Sequence, residues 1–266
     1  MYPYIYILGR KIGSYGLCMA LGFCLAGISA YRRGKNRGLL LEDLMITAAT
    51  ALGGALVCGG ALYICVTYSW GQIIDFIRHG DFRFLGSGIV FYGGLIGGIL
   101  GALLGIRIAG CAVRTVEWAV VPFVPLGHAI GRIGCVLAGC CHGFPYDGPL
   151  ALHFPNSVLG LSTEQGYFPV QPLESLLNFG LCLFLLWYGK RARRTADVLF
   201  TYLGLYGLSR FFLEMLRGDF LRGLWAGLST SQWISVLLLA VCLFRRIWIY
   251  CLQRAEHRNA YQKTNK

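Results

Sequence analysis

The chain of 266 residues is 56% hydrophobic and only 14% charged, with a mean hydropathy of +0.59 and a net charge of +12. A soluble domain carries about 25% charged residues, so this composition excludes a soluble globular protein and predicts an all-α, polytopic membrane protein. The basic residues are scattered over loops rather than gathered on one folded face, which argues against a nucleic-acid partner and for anchoring to anionic headgroups of the lipid bilayer.

Seven apolar stretches, roughly 12–31, 44–68, 88–109, 116–137, 172–189, 197–215 and 230–250, approach the ~20 residues that cross a hydrocarbon core. The first opens at Ser14 and Tyr15 and lacks a small-residue cleavage site after it, so it is expected to span rather than to be removed as a signal peptide. The third carries Gly94, Gly98, Gly101 and Gly105 at spacings of 4, 3 and 4, a face for close helix approach. Gly93 and Gly94, which follow Tyr92, are also placed to offer backbone to a ligand. The fourth is interrupted by Pro122 and Pro125; it carries His128, Arg132 and Cys135 at spacings of 4 and 3 and runs into Cys140, Cys141 and His142. The fifth is short, is opened by Pro172, and presents Gln171, Glu174 and Asn178 at 3 and 4. In the sixth, Tyr202, Tyr206, Arg210, Glu214 and Arg217 follow spacings of 4, 4, 4 and 3, one stripe at helical periodicity.

Charge sets the orientation. Basic residues follow the first span (Arg32, Arg33, Lys35, Arg37), the third (Arg107, Arg114), the fifth (Lys190, Arg191, Arg193, Arg194) and the seventh (Arg245, Arg246, Arg254, Arg258, Lys263, Lys266). By the positive-inside rule the N-terminus faces out and the C-terminus is cytoplasmic. Residues 1–250 are read as one seven-helix domain and 251–266 as a basic cytoplasmic tail.

In this topology the ionisable residues of the spans fall in the outer half of the membrane, where such groups are costly and face the bundle interior. Arg210 and Glu214 are an i, i+4 pair, which is read equally as a structural ion pair between helices or as part of a site. Several arginines around one cavity match phosphate or carboxylate bidentately and suggest an anionic lipid headgroup. Of eleven cysteines, Cys18, Cys24, Cys58, Cys65, Cys182 and Cys242 lie in spans as small apolar residues. Cys135, Cys140 and Cys141 are grouped near the outer face. They are read as small packing residues beside a glycine-rich turn, as an oxidisable set, as a metal site with His142, or as a transient nucleophile.

The motifs taken in order resemble a known family. They are SYG at 14–16, FYGGLIGG in the third span, PLGHAIGRIG in the fourth, PVQPLE opening the fifth, YGLSRFFLEMLR in the sixth and GLSTSQWIS before the seventh. Together they resemble the bacterial prolipoprotein diacylglyceryl transferases over nearly the whole chain. The resemblance implies a seven-span enzyme of the bacterial inner membrane. It would move the diacylglyceryl group of phosphatidylglycerol onto the lipobox cysteine of a prolipoprotein signal peptide, leaving a thioether and glycerol phosphate, with no metal or diffusible cofactor. Carried over by position, Arg132, Tyr206, Arg210 and Glu214 are the expected catalytic residues, and His142 joins them as a substitute proton acceptor. Tyr15, Tyr92, Gly93, Gly94, Gly143, Gln171, Glu174 and Arg217, with Arg132, are the expected substrate contacts. Arg132 and Arg210 are expected at the phosphate, with Glu214 orienting Arg210.

The likeness fails at defined positions. The family has His before the paired glycines of the third span, where this chain has Tyr92. It continues its GRxG motif with two asparagines and a glutamate, where this chain has Cys135, Ala138 and Cys140. Two proton acceptors are thereby missing, and His128 or His142 is suited to replace them. The rival readings are a membrane thiol-redox protein using the three cysteines, or a related glycerolipid transferase with another acceptor. No inverted repeat supports a transporter.

Overall fold

In a computed structural model the chain is mostly helical; residues 2–7, 9–80, 88, 90–192, 194–218 and 224–264 are described. Residue 89 of the predicted third span, and Arg193 and Lys266 of the basic clusters, lie outside the described residues. A short hairpin, β1 (Tyr4–Ile7) and β2 (Arg10–Gly13), leads into α1 (Ser14–Gly34), followed by α2 (Leu41–Thr67), α3 (Trp70–Arg78) and α4 (Phe91–Ala109). Next come α5 (Val113–Val120), α6 (Val124–Ala138), α7 (Val170–Gly189) and α8 (Thr195–Met215). A two-residue hairpin, β3 (Leu224–Trp225) and β4 (Leu228–Ser229), then precedes α9 (Thr230–Thr264).

Among the described residues, five segments are long and apolar enough to cross a membrane: Ser14–Arg37, Leu41–Thr67, Val113–Ala138, Val170–Gly189 and Thr230–Arg254. The third of these is not one continuous α-helix. Pro122 lacks an N–H and its ring crowds the carbonyl four residues back, so a 3-10 turn at Val121–Phe123 joins α5 to α6. The predicted third and sixth spans are the helices α4 and α8, with the latter carrying Asp197, Arg210 and Glu214. Helix α3 was not anticipated; Ser69 caps it reciprocally with Gln72. The last helix does not stop at residue 250 but continues through the segment read as a tail.

The chain divides into two compact units, residues 30–119 and residues 1–29 with 120–266. In the first, α2 and α4 pack backbone to backbone. A Cβ built on Gly97 would stand 2.1 Å from the Gly54 carbonyl oxygen, and one on Gly101 would stand 2.1 Å from the Thr50 carbonyl oxygen. Gly93 meets Cys58 and Leu62 in the same way, and Gly105 meets Thr50. The packing face is therefore Gly93, Gly97, Gly101 and Gly105, a straight i, i+4 ridge, rather than the stripe through Gly94 and Gly98, whose surroundings are looser. At the basic end of this unit the guanidinium groups of Arg33 and Arg37 stack on the Trp118 ring.

In the second unit α6 packs on α7, α7 on α8 and α8 on α9, while the first part of α1 lies along α6. This unit is polar inside and apolar outside. On α7, Glu174 is 2% exposed and Asn178 4%, whereas Leu176 is 68% exposed. That inversion is expected where hydrocarbon rather than water surrounds the bundle.

Candidate active site

Glu174 is the hub. Its place one turn into α7 faces α6, where Arg132 Nη2 lies 2.8 Å and His128 Nε2 3.5 Å from its Oε1. From α8, Arg210 Nη1 stands 4.0 Å from Glu174 Oε2, while Arg210 Nη2 pairs with Glu214 one turn further along its own helix. A third wall comes from the start of α9. Ser229 Oγ donates to Glu214 Oε1 at 3.1 Å, and Arg210 Nη2 donates to Ser231 Oγ at 3.4 Å. Ser229 also accepts from the Gln232 backbone N–H at 3.2 Å, while the Gln232 side chain accepts from the Ser229 N–H at 2.9 Å. That reciprocal cap fixes the serine that holds Glu214.

Two donors in this cluster have no acceptor among the described residues. Arg132 Nε and Arg210 Nη1 are buried without a hydrogen bond. The side-chain oxygens of Gln171 and Asn178 are in the same state, although their amide nitrogens donate to the Cys140 and Glu174 carbonyls at 3.0 and 2.8 Å. Buried polar atoms of native proteins are normally paired, and each orphan costs about 1–3 kcal/mol.

The turn after α6 closes one side of the cluster. Gly139, at φ +69, caps the helix in the left-handed region, and its carbonyl accepts from Ser157 Oγ at 2.6 Å. Gly143 pairs with Arg217 as an antiparallel bridge, and the Gly218 N–H donates to the His142 carbonyl at 3.3 Å. A Cβ on Gly143 would stand 2.5 Å from the Phe168 carbonyl oxygen, so only glycine lets these strands meet. His142 Nδ1 lies 2.8 Å from the Gly143 carbonyl, with the ring 4.5 Å from Tyr167. Donation to that carbonyl leaves Nε2 as the acceptor nitrogen.

The three cysteines come together here. Their sulfurs all lie within 4.8 Å of one another, and Arg132 Nη1 is 3.8 Å from Cys135 Sγ. The thiol of Cys141 is held far below the usual cysteine range by hydrogen bonds from Cys135 and Cys140, helped by the positive charge of Arg217 and Arg132. Cys140, which shares those hydrogen bonds and is partly desolvated, is pushed far above it.

Of the residues expected from sequence, Arg132, His142, Gly143, Gln171, Glu174, Tyr206, Arg210, Glu214 and Arg217 belong to this unit. The Tyr206 ring is 5.6 Å from His128, and Tyr15 packs over Gly134 of α6. Tyr92, Gly93 and Gly94 open α4 in the other unit, where Gly93 is enclosed by Cys58 and Leu62. Ser229, Ser231 and Gln232 had no assigned role, although the polar run STSQ at the entry of an apolar helix was their signal.

The sequence matches a family profile for prolipoprotein diacylglyceryl transferase over residues 3–248. The chain belongs to the prolipoprotein diacylglyceryl transferase family. It is 37% identical over 238 residues to the phosphatidylglycerol–prolipoprotein diacylglyceryl transferase of Clostridium tetani, covering 90% of this chain and 93% of that one. A second enzyme of that name in Clostridium perfringens is also 37% identical, over 88% of this chain and 89% of its own length. The Bordetella parapertussis transferase is 33% identical over 250 residues, 88% of this chain and 92% of that one. The residues of the Glu174 cluster described above all lie inside the matched range.

Proposed function

We propose that this family member transfers the diacylglyceryl group of phosphatidylglycerol to the lipobox cysteine thiol of prolipoproteins, the first step of lipoprotein maturation. Its relatives carry the name of that activity over almost their full length. The observation that carries the reading to this chain is the pair of buried, unsatisfied arginine donors, Arg132 Nε and Arg210 Nη1, on two helices that meet at Glu174. A phosphodiester supplies the acceptor oxygens such donors lack.

In the transfer a C–S bond forms between the lipobox sulfur and the terminal glyceryl carbon of the diacylglyceryl group. The C–O bond from that carbon to the phosphate breaks, and its electron pair leaves on glycerol phosphate. Arg132 and Arg210 stabilise the charge gathering on the phosphate, a role that needs fixed donors rather than covalent chemistry. Glu174 and Glu214 are positioning residues that hold the two guanidiniums apart and in place. His142, with Nε2 unprotonated, takes the thiol proton in the place of the family histidine and glutamate that this chain lacks. Tyr15, Tyr206, Gly143, Gln171 and Arg217 line the substrate side.

The enzyme sits in the bacterial inner membrane with seven spans, the N-terminus outside and the C-terminus in the cytoplasm. Helices α4 and α8, with 19 and 21 residues, complete the count, since they are about 28 and 31 Å long against a core of about 30 Å. Arg33, Arg37, Arg191 and Arg245 at the opposite helix ends fit the cytoplasmic face.

The test is the full chain in phosphatidylglycerol vesicles with a lipobox peptide, read by mass spectrometry of the peptide. Thioether product from the wild type, abolished in Arg132→Ala and Arg210→Ala, is expected. A folded wild type that makes none overturns the reading. So does a chain that tolerates Arg210→Ala but fails when Cys135, Cys140 and Cys141 become Ser, which is the redox alternative.

A further inference from the structure

The transfer leaves the cysteine cluster without work to do. Cys135 lies on the buried face of α6, and Cys140 and Cys141 follow the left-handed cap at Gly139. Side chains of adjacent residues in extended backbone point to opposite sides. Cys141 instead sits at φ +57, a conformation a non-glycine residue adopts only when its surroundings impose it. With that turn its sulfur joins those of Cys140 and Cys135, all three within 4.8 Å of one another. Simple packing does not require this convergence, because an ordinary left-handed residue is asparagine or glycine.

We infer that Cys135, Cys140 and Cys141 form a three-sulfur binding site for a soft divalent cation of the zinc and cadmium type. Zinc–sulfur bonds of about 2.3 Å place three ligating sulfurs about 4 Å apart, so closure onto an ion needs movements under about 1 Å. A disulfide would use only two sulfurs and strand the third in a half-buried pocket, whereas a cation uses all three. On binding, three S–M bonds form and each remaining S–H proton leaves to solvent; no oxidant is involved. Arg132, 3.8 Å from Cys135 Sγ, balances the single negative charge left on a trithiolate complex of a divalent ion. Thiolate ligands select such ions over magnesium or calcium, which demand oxygen. The inference does not rest on the transferase reading, since the sulfurs converge whatever the protein acts on.

The experiment is cadmium titration of the full chain in detergent under anaerobic conditions, followed by the ultraviolet thiolate-to-cadmium charge-transfer band and by bound metal after desalting. Eleven cysteines are free, so the reference is the chain carrying Cys135→Ser, Cys140→Ser and Cys141→Ser. The wild type is expected to bind one more cadmium than this reference, to rise in thermal midpoint with it, and to ignore a magnesium excess. Each single variant should weaken binding beyond the ~10–100-fold typical of losing an outer-shell partner. Equal stoichiometry in wild type and triple variant overturns the site. So does an intact mass short of two hydrogens, with Cys135 cross-linked to Cys140 or Cys141 in the anaerobic preparation.

Discussion

Replacing Glu174 by Gln tests the centre of the site, because it removes a charge while keeping shape and one acceptor. Glu174 is 2% exposed, and Arg132, whose side chain is 12% exposed, has it as its carboxylate partner at 2.8 Å. The Cys135 sulfur, 3.8 Å from that guanidinium, is too weak a contact to compensate it. Breaking a buried pair from one side costs about 3–5 kcal/mol, because the remaining ion stays desolvated and alone. Arg210 is affected less, since Glu214 still pairs with it. The retained amide oxygen keeps Glu174→Gln near 3 kcal/mol, the lower end of that range, and Glu174→Ala belongs at its upper end. The control is Asp197→Asn on the same protein. Its partner Arg245 is also 2.8 Å away, but both side chains are 20% exposed, so the loss there stays under about 1 kcal/mol. Unfolding of the three variants in mixed micelles, followed by circular dichroism, ranks them. Glu174→Gln no more costly than Asp197→Asn would refute the claim that Glu174 is a desolvated hub.

Further outcomes follow from the same geometry. Arg210→Lys keeps the charge but cannot reach Glu174, Glu214 and Ser231 at once, and kcat/KM for lipobox peptide should fall about 10²-fold, the usual loss of a positioned donor. Gly143→Ala brings a methyl group against the Phe168 carbonyl, where a Cβ would stand 2.5 Å away, and should cost about 1–3 kcal/mol. Gly27→Ala, with nothing within 4 Å, should be neutral or stabilising in the same melt. Ser229→Ala removes the donor to Glu214 and the cap of α9, and should lower stability by about 1–3 kcal/mol while weakening turnover less than Arg210→Ala. His142→Gln should lower kcat/KM for lipobox peptide by about 10²–10⁴-fold, the usual loss of a positioned proton acceptor; an unchanged value assigns the thiol proton elsewhere.

The helices were legible because a hydrocarbon surround needs long apolar runs, and each of the seven predicted stretches begins within three residues of the start of an observed helix. The stripe Tyr206, Arg210, Glu214 was legible as well, since periodicity along one helix needs no knowledge of its neighbours. Contacts between helices were not. Glu174 was visible as a buried-looking carboxylate, but its role depends on which face of α6 meets α7, and the pairing to Arg132 appears only when they pack. The glycine ridge of α4 was misread for a related reason. Two interleaved glycine series, 93/97/101/105 and 94/98/101/105, fit a helix equally well until the partner α2 selects one. The small β-hairpins and α3 escaped because their runs are short and their patterns mixed.

The two orphaned arginine donors lead to a last prediction, independent of turnover. Groups left unsatisfied in the free protein contribute to affinity when a ligand satisfies them, so an anionic phosphodiester lipid should stabilise the fold by binding only the native state. At a lipid concentration 100 times its dissociation constant, the gain is about 2.7 kcal/mol. Phosphatidylcholine has the same phosphate, but its quaternary ammonium would meet the guanidiniums of Arg132 and Arg210 and the imidazole of His128 with no extra carboxylate, since Glu174 and Glu214 are already paired. Phosphatidylglycerol, whose headgroup is a neutral glycerol, meets no such opposition. Thermal melts in neutral detergent should therefore rise with phosphatidylglycerol and hardly with phosphatidylcholine of equal chain length, and Arg132→Ala should lose the difference. Equal stabilisation by the two lipids would mean that the acyl chains rather than the arginines recognise the donor, and the phosphate assignment of Arg132 and Arg210 would fall with it.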